Sequence, residues 1–213
     1  MQRTRVNFCG FTRAQDVQAA VQAGADALGF VFYEQSPRYI SPALASPLIQ
    51  SVPAFISTVG LFVNMTVPQM TRVITQAPIT TIQLHGDETW HFALNVKKIL
   101  RRPVIKAVRV NEQTDWAEVE HYVDQLAGVL LDADSLGYGG AGHVFDWSVI
   151  PAAVRSKIIL SGGLKLENIG DAIQQIHPYG LDVSSGIETD TKGIKDAQAM
   201  QDFVRQVVRA DAG

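Results

Sequence analysis

The sequence has a single cysteine, Cys9, and this shortage bears on disulfide formation and on the cellular compartment of the protein. One cysteine cannot form an internal disulfide, so the chain fits the reducing cytosol. The thiol is then either a small buried hydrophobe or a chemically active group, and composition alone favours the buried alternative.

The sequence also lacks an excess of basic residues and any long apolar run. Lys and Arg total 18 against 21 Asp and Glu, which argues against nucleic acid as a partner, because binding a phosphate backbone needs excess positive charge. No stretch reaches the ~18 apolar residues of a membrane span, and the first residues lack the apolar core of a signal peptide. We therefore expect a cytoplasmic protein that binds neither nucleic acid nor a membrane.

Hydrophobic residues make up 46% of the 213 positions, which is enough to bury a core. No Pro/Ser-rich linker, charge block or low-complexity tract interrupts the chain, so we expect one domain over residues 1–213. The predicted strands are Arg5 to Phe8, Ala27 to Phe32, Ser57 to Phe62, Thr81 to Leu84, Val104 to Val108, Val129 to Leu131, Lys157 to Leu160 and Leu181 to Val183. The predicted helices are Arg13 to Ala23, Pro42 to Ser51, Val67 to Gln76, Thr89 to Leu100, Asp115 to Gln125, Leu166 to Ile176 and Lys195 to Arg209, and the stretch after the sixth strand, Trp147 to Val154, is short.

The β-rich runs indicate a parallel sheet. Ala27 to Phe32 and Val129 to Leu131 are apolar on both faces, as strands are when helices cover both sides of a sheet. Eight strand–helix repeats predict an α/β protein, a single-domain (β/α)8 TIM barrel with a parallel eight-stranded core, and a doubly wound open sheet is the alternative. The turn at residues 9–12 lacks the three spaced glycines of a dinucleotide-binding loop, which disfavours that alternative.

Two chemically useful side chains stand at predicted strand ends. Cys9 follows the first strand and Asp132 ends the sixth. In a barrel the carboxyl ends of all strands open onto one face, where catalytic groups from distant parts of the chain meet. Cys9 is therefore a candidate base and Asp132 a candidate acid.

Glycine and serine turns follow the last two predicted strands. Gly162 and Gly163 come after the seventh strand, and Ser185 and Gly186 come after the eighth. Glycine lets backbone amides approach an anion, serine adds a hydroxyl donor, and barrels commonly bind phosphate at these two loops. Tight turns leading into helices would explain either loop alone, but the two together predict a phosphate site.

A third glycine-rich segment, Gly139-Gly140-Ala141-Gly142, lies in the long connection after the sixth strand. Long loops in compact domains are usually functional or mobile. The segment could fold over a ligand or form a flexible surface loop, and its glycine content does not decide between the two.

Arg38 and His85 also follow predicted strands, the second and the fourth. An arginine on this face can bind a carboxylate through two parallel hydrogen bonds, although a lone loop arginine is more often a solvated charge. A metal site at His85 would need two or three further ligands, and the other histidines lack ligand spacing. We expect no metal, and we interpret His85 as part of a pocket wall or as a structural residue.

Several ordered motifs give the chain a family resemblance. They are Cys9-Gly10-Phe11-Thr12, Ser36-Pro37-Arg38-Tyr39-Ile40, Gln83-Leu84-His85-Gly86, Leu130-Leu131-Asp132 followed by Gly139-Gly140-Ala141-Gly142 and Phe145-Asp146-Trp147, Leu160-Ser161-Gly162-Gly163-Leu164, and Ser184-Ser185-Gly186-Ile187-Glu188. Over essentially its whole length the chain resembles the phosphoribosylanthranilate isomerase family of tryptophan biosynthesis. Asn7 stands where that family usually has lysine, and Lys165 where it has asparagine. Of the two, Asn7 changes the electrostatics around Cys9.

The resemblance implies conversion of N-(5-phosphoribosyl)anthranilate into 1-(2-carboxyphenylamino)-1-deoxyribulose 5-phosphate, an Amadori rearrangement without a cofactor. It implies that Asp132 is the general acid that opens the furanose ring, and that Cys9 is the base that removes the C2 proton. The partner is then a small phosphorylated substrate, and the protein is a monomer or a homodimer. The expected substrate-binding residues are Arg38 for the anthranilate carboxylate, Gly162, Gly163, Ser185 and Gly186 for the phosphate, Asp182 as a further carboxylate, and Gly140.

This chemistry predicts that the pKa values of the two catalytic groups move in opposite directions. The thiol of Cys9 should fall toward neutral from ~8.5, and the carboxylic acid of Asp132 should rise from ~3.9. Nearby backbone amides or helix N-termini could favour the thiolate, and desolvation could favour the neutral acid.

Four alternatives fit the residues less well. An indole-glycerol-phosphate synthase would need a glutamate at a strand end to match Lys106, and a metal-dependent epimerase would need more ligands than His85. A catalytically silent phosphosugar-binding barrel is disfavoured because both Cys9 and Asp132 are present. A bifunctional enzyme that also accepts the related histidine-pathway aminoaldose normally relies on two aspartates and two phosphate sites, so Cys9 in the base position disfavours it.

Overall fold

The computed structural model describes residues 3–133 and 146–213 as a closed barrel of eight parallel strands in chain order. β8 returns to β1 in parallel register from Arg5 opposite Gly180 to Phe8 opposite Val183, which closes the barrel. The predicted (β/α)8 barrel is therefore confirmed. The strands are β1 Arg5–Cys9, β2 Ala27–Val31, β3 Ser57–Phe62, β4 Thr81–Leu84, β5 Val104–Val110, β6 Gly128–Ala133, β7 Ile158–Leu160 and β8 Gly180–Val183.

Seven α-helices surround this sheet in the described residues. They are α1 Ala14–Ala23, α2 Pro42–Gln50, α3 Val67–Gln76, α4 Trp90–Leu100, α5 Trp116–Tyr122, α6 Ile169–Ile176 and α7 Ala197–Ala212. Short 3-10 turns at Trp147–Val149 and Arg155–Lys157 precede β7, and a third, Ser185–Ile187, follows β8. None of the described helices combines the length and apolar character needed to cross a membrane.

Some element boundaries differ from the sequence predictions for local reasons. The helix predicted from Leu166 begins at Ile169, because Asn168 holds the preceding turn through bonds to the Lys165 amide and the Gly163 carbonyl. The helix predicted from Lys195 begins at Ala197, because the Asp196 side chain caps its first turn.

The chain around α1 ends as predicted but starts differently. Gly24 terminates α1 in the left-handed conformation, with φ of 92°. α1 begins at Ala14, one residue later than predicted, because Arg13 is the N-cap residue and has extended backbone. The Thr12 hydroxyl donates to the Gly193 carbonyl at 3.2 Å, which ties the turn after β1 to the segment after β8.

Successive side chains along each strand point alternately outward, into the core between sheet and helices, and inward, into the barrel interior. Phe8 of β1 points outward and meets Phe203 of α7 edge-on, with ring centroids 5.8 Å apart. Because successive strand residues face opposite sides of a sheet, Asn7 and Cys9 point inward. This places the Cys9 thiol at the carboxyl-end mouth of the barrel, where it lines a pocket.

Candidate active site

A pocket at the carboxyl ends of the strands brings together residues from distant parts of the chain. The strands supply them because every strand of a parallel barrel ends on the same face. Gly186 lies just behind the pocket against the Leu164 carbonyl, and Gly140 lies outside the described residues. The predicted site residues that line the pocket are Cys9, Arg38, Asp132, Gly162, Gly163, Asp182 and Ser185.

Cys9 ends β1 and lies against Gly29 of the neighbouring strand β2. A Cβ atom on Gly29 would come within 2.8 Å of the Cys9 sulfur, so only glycine leaves space for the thiol there. The side chain is almost fully buried. The thiol therefore has a fixed position that any larger residue at position 29 would disturb.

The environment of the thiol moves its pKa opposite to the direction predicted from the sequence. Burial, with a smaller contribution from the nearby Asp182 carboxylate, raises the pKa of Cys9 to about 12, against the opposing effects of Lys195 and Arg38. Because the thiol is enclosed, the loss of hydration raises its pKa by more than Lys195 and Arg38 lower it. The expectation that the protein alone tunes this thiol toward neutral is wrong.

Asp132 is the last residue but one of β6 and contacts His85, which follows β4. His85 Nε2 lies 3.1 Å from Asp132 Oδ2, and Gln83 Nε2 lies 2.9 Å from His85 Nδ1. Because an amide nitrogen donates, this arrangement makes Nδ1 an acceptor and leaves the imidazole proton on Nε2, directed at Asp132. The other oxygen, Oδ1, lies on the side of Gly162, where a Cβ would come within 2.8 Å of it.

The sequence pattern around His85 predicted only a pocket-wall or structural residue, with no link to Asp132. His85 does line the pocket, and it also holds one oxygen of the candidate acid. The alternation of Gln83 and His85 contains this signal, because residues two apart on a strand face the same side. The described residues contain no group of three or more His, Cys, Asp or Glu placed to hold a metal ion.

Asp182 is a second buried carboxylate of the pocket, contributed by β8. It lies opposite Asn7 in the β1–β8 register, and the Asn7 amide donates to its Oδ1 while the Ser161 hydroxyl donates to its Oδ2 at 3.4 Å. Burial, with a smaller contribution from Asp132, raises the pKa of Asp182 to about 6, against the opposing effects of His85, Asn7 and Ser161. Desolvation thus outweighs the hydrogen bonds.

Arg38 already binds a carboxylate, although a residue of the protein supplies it. Its Nε and Nη2 donate to the two oxygens of Glu188 at 2.7 and 2.8 Å. Lys195 Nζ donates to Glu188 Oε1 at 2.9 Å, and the Gly193 amide donates to the same oxygen at 3.0 Å. The sequence shows Glu188 at the end of a motif, but its pairing with an arginine 150 positions earlier depends on the closed barrel.

The loops after β7 and β8 both line the pocket. Gly162 and Gly163 have φ of 82° and 65°, a conformation that side chains rarely adopt. Ser184 and Ser185 continue the lining on the β8 side. Backbone amides in such a turn can approach an anion closely, so the predicted phosphate loops have suitable geometry.

Comparisons with known proteins agree with this arrangement. Residues 6–206 match the family model described as N-(5'phosphoribosyl)anthranilate (PRA) isomerase. The chain is 48% identical to N-(5'-phosphoribosyl)anthranilate isomerase of Herminiimonas arsenicoxydans, over 99% of this chain and 95% of that protein. It is 46% identical to the enzyme of the same name from Dechloromonas aromatica, over 98% of both chains.

Solved structures extend the similarity to three dimensions. Phosphoribosyl anthranilate isomerase from Thermotoga maritima superposes with a TM-score of 0.87 at 37% identity, over 97% of this chain and 99% of that one. A phosphoribosyl anthranilate isomerase in complex with reduced 1-(o-carboxyphenylamino)-1-deoxyribulose 5-phosphate gives 0.83 at 35% identity, over the same shares. A third structure, of monomers generated from the dimeric Thermotoga maritima enzyme, gives 0.82 at 34% identity, over 96% of this chain and 98% of that one.

Proposed function

We propose that Cys9 and Asp132 carry out the proton transfers of this chain, which belongs to the N-(5'-phosphoribosyl)anthranilate isomerase family. The protein is a TIM-barrel isomerase of tryptophan biosynthesis. The observation that supports the residue assignment is their meeting in one pocket that has an amide-rich side and a cationic side. The roles below follow from this geometry and from the chemistry of the rearrangement.

The two sides of the pocket suit the two ends of the substrate. We assign the phosphate to the loops of Gly162, Gly163 and Ser185, whose amides and hydroxyl can donate to its oxygens. We assign the anthranilate to the side of Arg38. Apolar residues suited to an aromatic ring line the pocket there, namely Val31, Leu61 and Val63 together with Tyr33. This orientation leaves the ribose between Cys9 and Asp132.

Asp132 is assigned as the acid that protonates the ring oxygen and opens the furanose to an iminium. The Nε2–H of His85 occupies Oδ2, so the acidic proton belongs on Oδ1. Oδ1 lies on the side of Gly162, toward the proposed phosphate end of the substrate. His85 thus selects the oxygen that delivers the proton.

Cys9 is assigned as the base that removes the C2 proton and gives the enolamine, which then tautomerises to the ketone. The reactive state has one proton on Asp132 and none on Cys9, and at a thiol pKa of about 12 that state is scarce. Ring opening places a positive iminium beside the sulfur, and a nearby positive charge favours the thiolate. When Cys9 then takes the C2 proton, the pair again holds one proton, as it did at the start.

The experiment follows the fluorescence of freshly generated N-(5-phosphoribosyl)anthranilate without added metal. Asp132→Asn should lower turnover by about a hundredfold or more with little change in KM, the effect of losing a general acid. Arg38→Ala should chiefly raise KM, because it removes a contact made equally by substrate and transition state. The reverse pattern, or full activity in Asp132→Asn, would contradict the assignments.

We further propose that the protein forms a homodimer, as its dimeric Thermotoga maritima relative does. Phe55 is fully exposed on the amino-end face of the barrel, beside the half-exposed Tyr179 and the opening of an interior cavity. An exposed phenylalanine next to such a cavity suits a contact with a second copy. Light scattering should give twice the chain mass for the parent and a lower mass for Phe55→Gln. A monomeric parent would exclude the proposal.

We also place the enzyme in the cytoplasm. Its proposed base is a free thiol, and a reducing compartment keeps such a group from oxidation. Fractionation of the producing cells should recover the isomerase activity in the cytosolic fraction, and recovery outside it would contradict this location.

A further inference from the structure

A short hairpin after β8 holds two opposite charges together. Glu188 and Lys195 face each other as an isolated antiparallel bridge, and the backbone bonds from Thr189 to Ile194 and from Asp196 to Ile187 fix this register. Directly opposed residues of an antiparallel pair project to the same side. The hairpin therefore delivers both side chains to Arg38, which approaches from the loop after β2.

The Arg38–Glu188–Lys195 cluster has a net charge of one positive unit. The side chains are 9%, 4% and 0% exposed, so the three charges interact with little screening by water. Arg38 and Glu188 alone would be a neutral pair. Lys195 makes the cluster cationic, and the Arg13–Asp16 pair next to the Lys195 amide is itself balanced.

Lys195 is placed so that it cannot touch a ligand. An ammonium group has three protons, and Nζ has three acceptors, namely the Ser184 carbonyl at 3.1 Å, the Ser184 hydroxyl at 3.3 Å and Glu188 Oε1 at 2.9 Å. Arg38 differs, because Nε and Nη2 bind Glu188 while Nη1, which has no hydrogen bond to the part of the chain that the structure describes, is open to a ligand in the pocket that Arg38 lines.

We propose that Lys195 is a positioning residue for substrate recognition, whose buried charge offsets Glu188 so that Arg38 presents a net positive charge to the anthranilate carboxylate. Without Lys195, a carboxylate at Nη1 would be repelled by Glu188 nearly as strongly as it is attracted by Arg38. Glu188 fixes the orientation of the Arg38 guanidinium, and the charge of Lys195 offsets the repulsion between Glu188 and the substrate carboxylate. This inference rests on the proposed contact between Arg38 and the carboxylate.

The experiment measures how much the carboxylate contributes to binding. The probes are reduced 1-(2-carboxyphenylamino)-1-deoxyribulose 5-phosphate and its phenylamino counterpart, which lacks the carboxylate. The ratio is the Kd of the phenylamino probe divided by the Kd of the carboxylated probe, so it measures how much the carboxylate strengthens binding. The Kd of the phenylamino probe alone reports whether the rest of the pocket is intact. The variants are Lys195→Met, Glu188→Gln/Lys195→Met and Arg38→Met, with Lys157→Met as the matched control. Lys157 pairs with Asp124 at the opposite end of the barrel.

Lys195→Met should reduce the ratio by about tenfold, the effect of one partly desolvated charge interaction of ~1.4 kcal/mol. Glu188→Gln/Lys195→Met should return the ratio to within about threefold of the parent value, because it restores the net positive charge with Arg38 alone. A role in packing alone predicts no such rescue. The Lys157→Met control should leave the ratio unchanged.

The outcomes separate this inference from the assignment on which it rests. If Arg38→Met leaves the ratio unchanged, the proposed contact between Arg38 and the carboxylate is wrong. If Arg38→Met reduces the ratio and Lys195→Met does not, the role of Lys195 alone is wrong. If Lys195→Met does not fold, Glu188→Gln gives the answer, because its larger positive charge should raise the ratio, and an unchanged or lower ratio would overturn the inference.

Discussion

Replacing Asp182 with asparagine should stabilise the folded protein at neutral and mildly alkaline pH. Burial and Asp132 raise the pKa of this carboxyl group from 3.8 to about 6. At 1.36 kcal/mol per pKa unit, the ionised carboxylate costs the folded state about 3 kcal/mol above pH ~6. The substituted amide would be neutral at every pH, and the buried Asn7 Oδ1, which has no hydrogen-bond partner among residues 3–133 and 146–213, could accept from it after rotation of the Asn7 side chain.

The sign of the pH dependence follows from the raised pKa. A group whose pKa is higher in the folded state contributes stability below its unfolded pKa of 3.8 and loses it as the pH rises through about 6. The advantage of Asp182→Asn over the parent should therefore be largest above pH ~7 and should vanish below pH ~4. In a chain of this length 3 kcal/mol corresponds to a rise in Tm of about 6–12 °C, which is an upper bound.

Thermal unfolding followed by circular dichroism at about pH 8, 6 and 4 measures this difference directly. Comparing variant with parent at each pH removes the titration of every group that the two proteins share. Asp190→Asn, at an exposed position, is the matched control and should show no pH-dependent difference in Tm. The reasoning is refuted if Asp182→Asn is less stable than the parent at about pH 8, or if the difference in Tm is the same at all three values.

Three further predictions concern the proton transfers. Because the pKa of Cys9 rises from 9.0 to about 12, a thiol reagent at about pH 8 should modify the folded protein about a thousandfold more slowly than the urea-unfolded chain, and equal rates would contradict the burial effect. For the same reason kcat/KM should show no rising limb between about pH 7 and 9, since a limb there would mean that the protein alone brings the thiol near neutral. His85→Leu should lower kcat by about tenfold to a hundredfold with little change in KM, because Asp132 Oδ2 loses its donor. His85→Gln, which keeps an N–H donor, should recover part of the loss, and equal activity of the two variants would show that the donor is unimportant.

Periodicity and strand-end positions could be read from the sequence, while pairings between distant residues could not. Apolar runs at Ala27 to Phe32 and Val129 to Leu131 correctly indicated strands of a parallel barrel, because both faces of such strands are covered. Once the barrel is assumed, Cys9 and Asp132 must share a face. The partner of Arg38 depends on how the hairpin after β8 folds back, and no local pattern carries that information.

Electrostatic environments were the least predictable feature, because they depend on the balance of burial against several charges in three dimensions. The sequence motifs favour a thiol tuned toward neutral, yet desolvation at Cys9 exceeds the effects of Lys195 and Arg38. In the proposed reaction the thiol proton must therefore pass to solvent first, which leaves a scarce Cys9 thiolate beside a protonated Asp132. When Asp132 gives its proton to the ring oxygen, the positive iminium forms next to this thiolate and stabilises it. The thiolate then takes the C2 proton, so the pair holds one proton before and after the reaction, and the protonated resting thiol is unreactive.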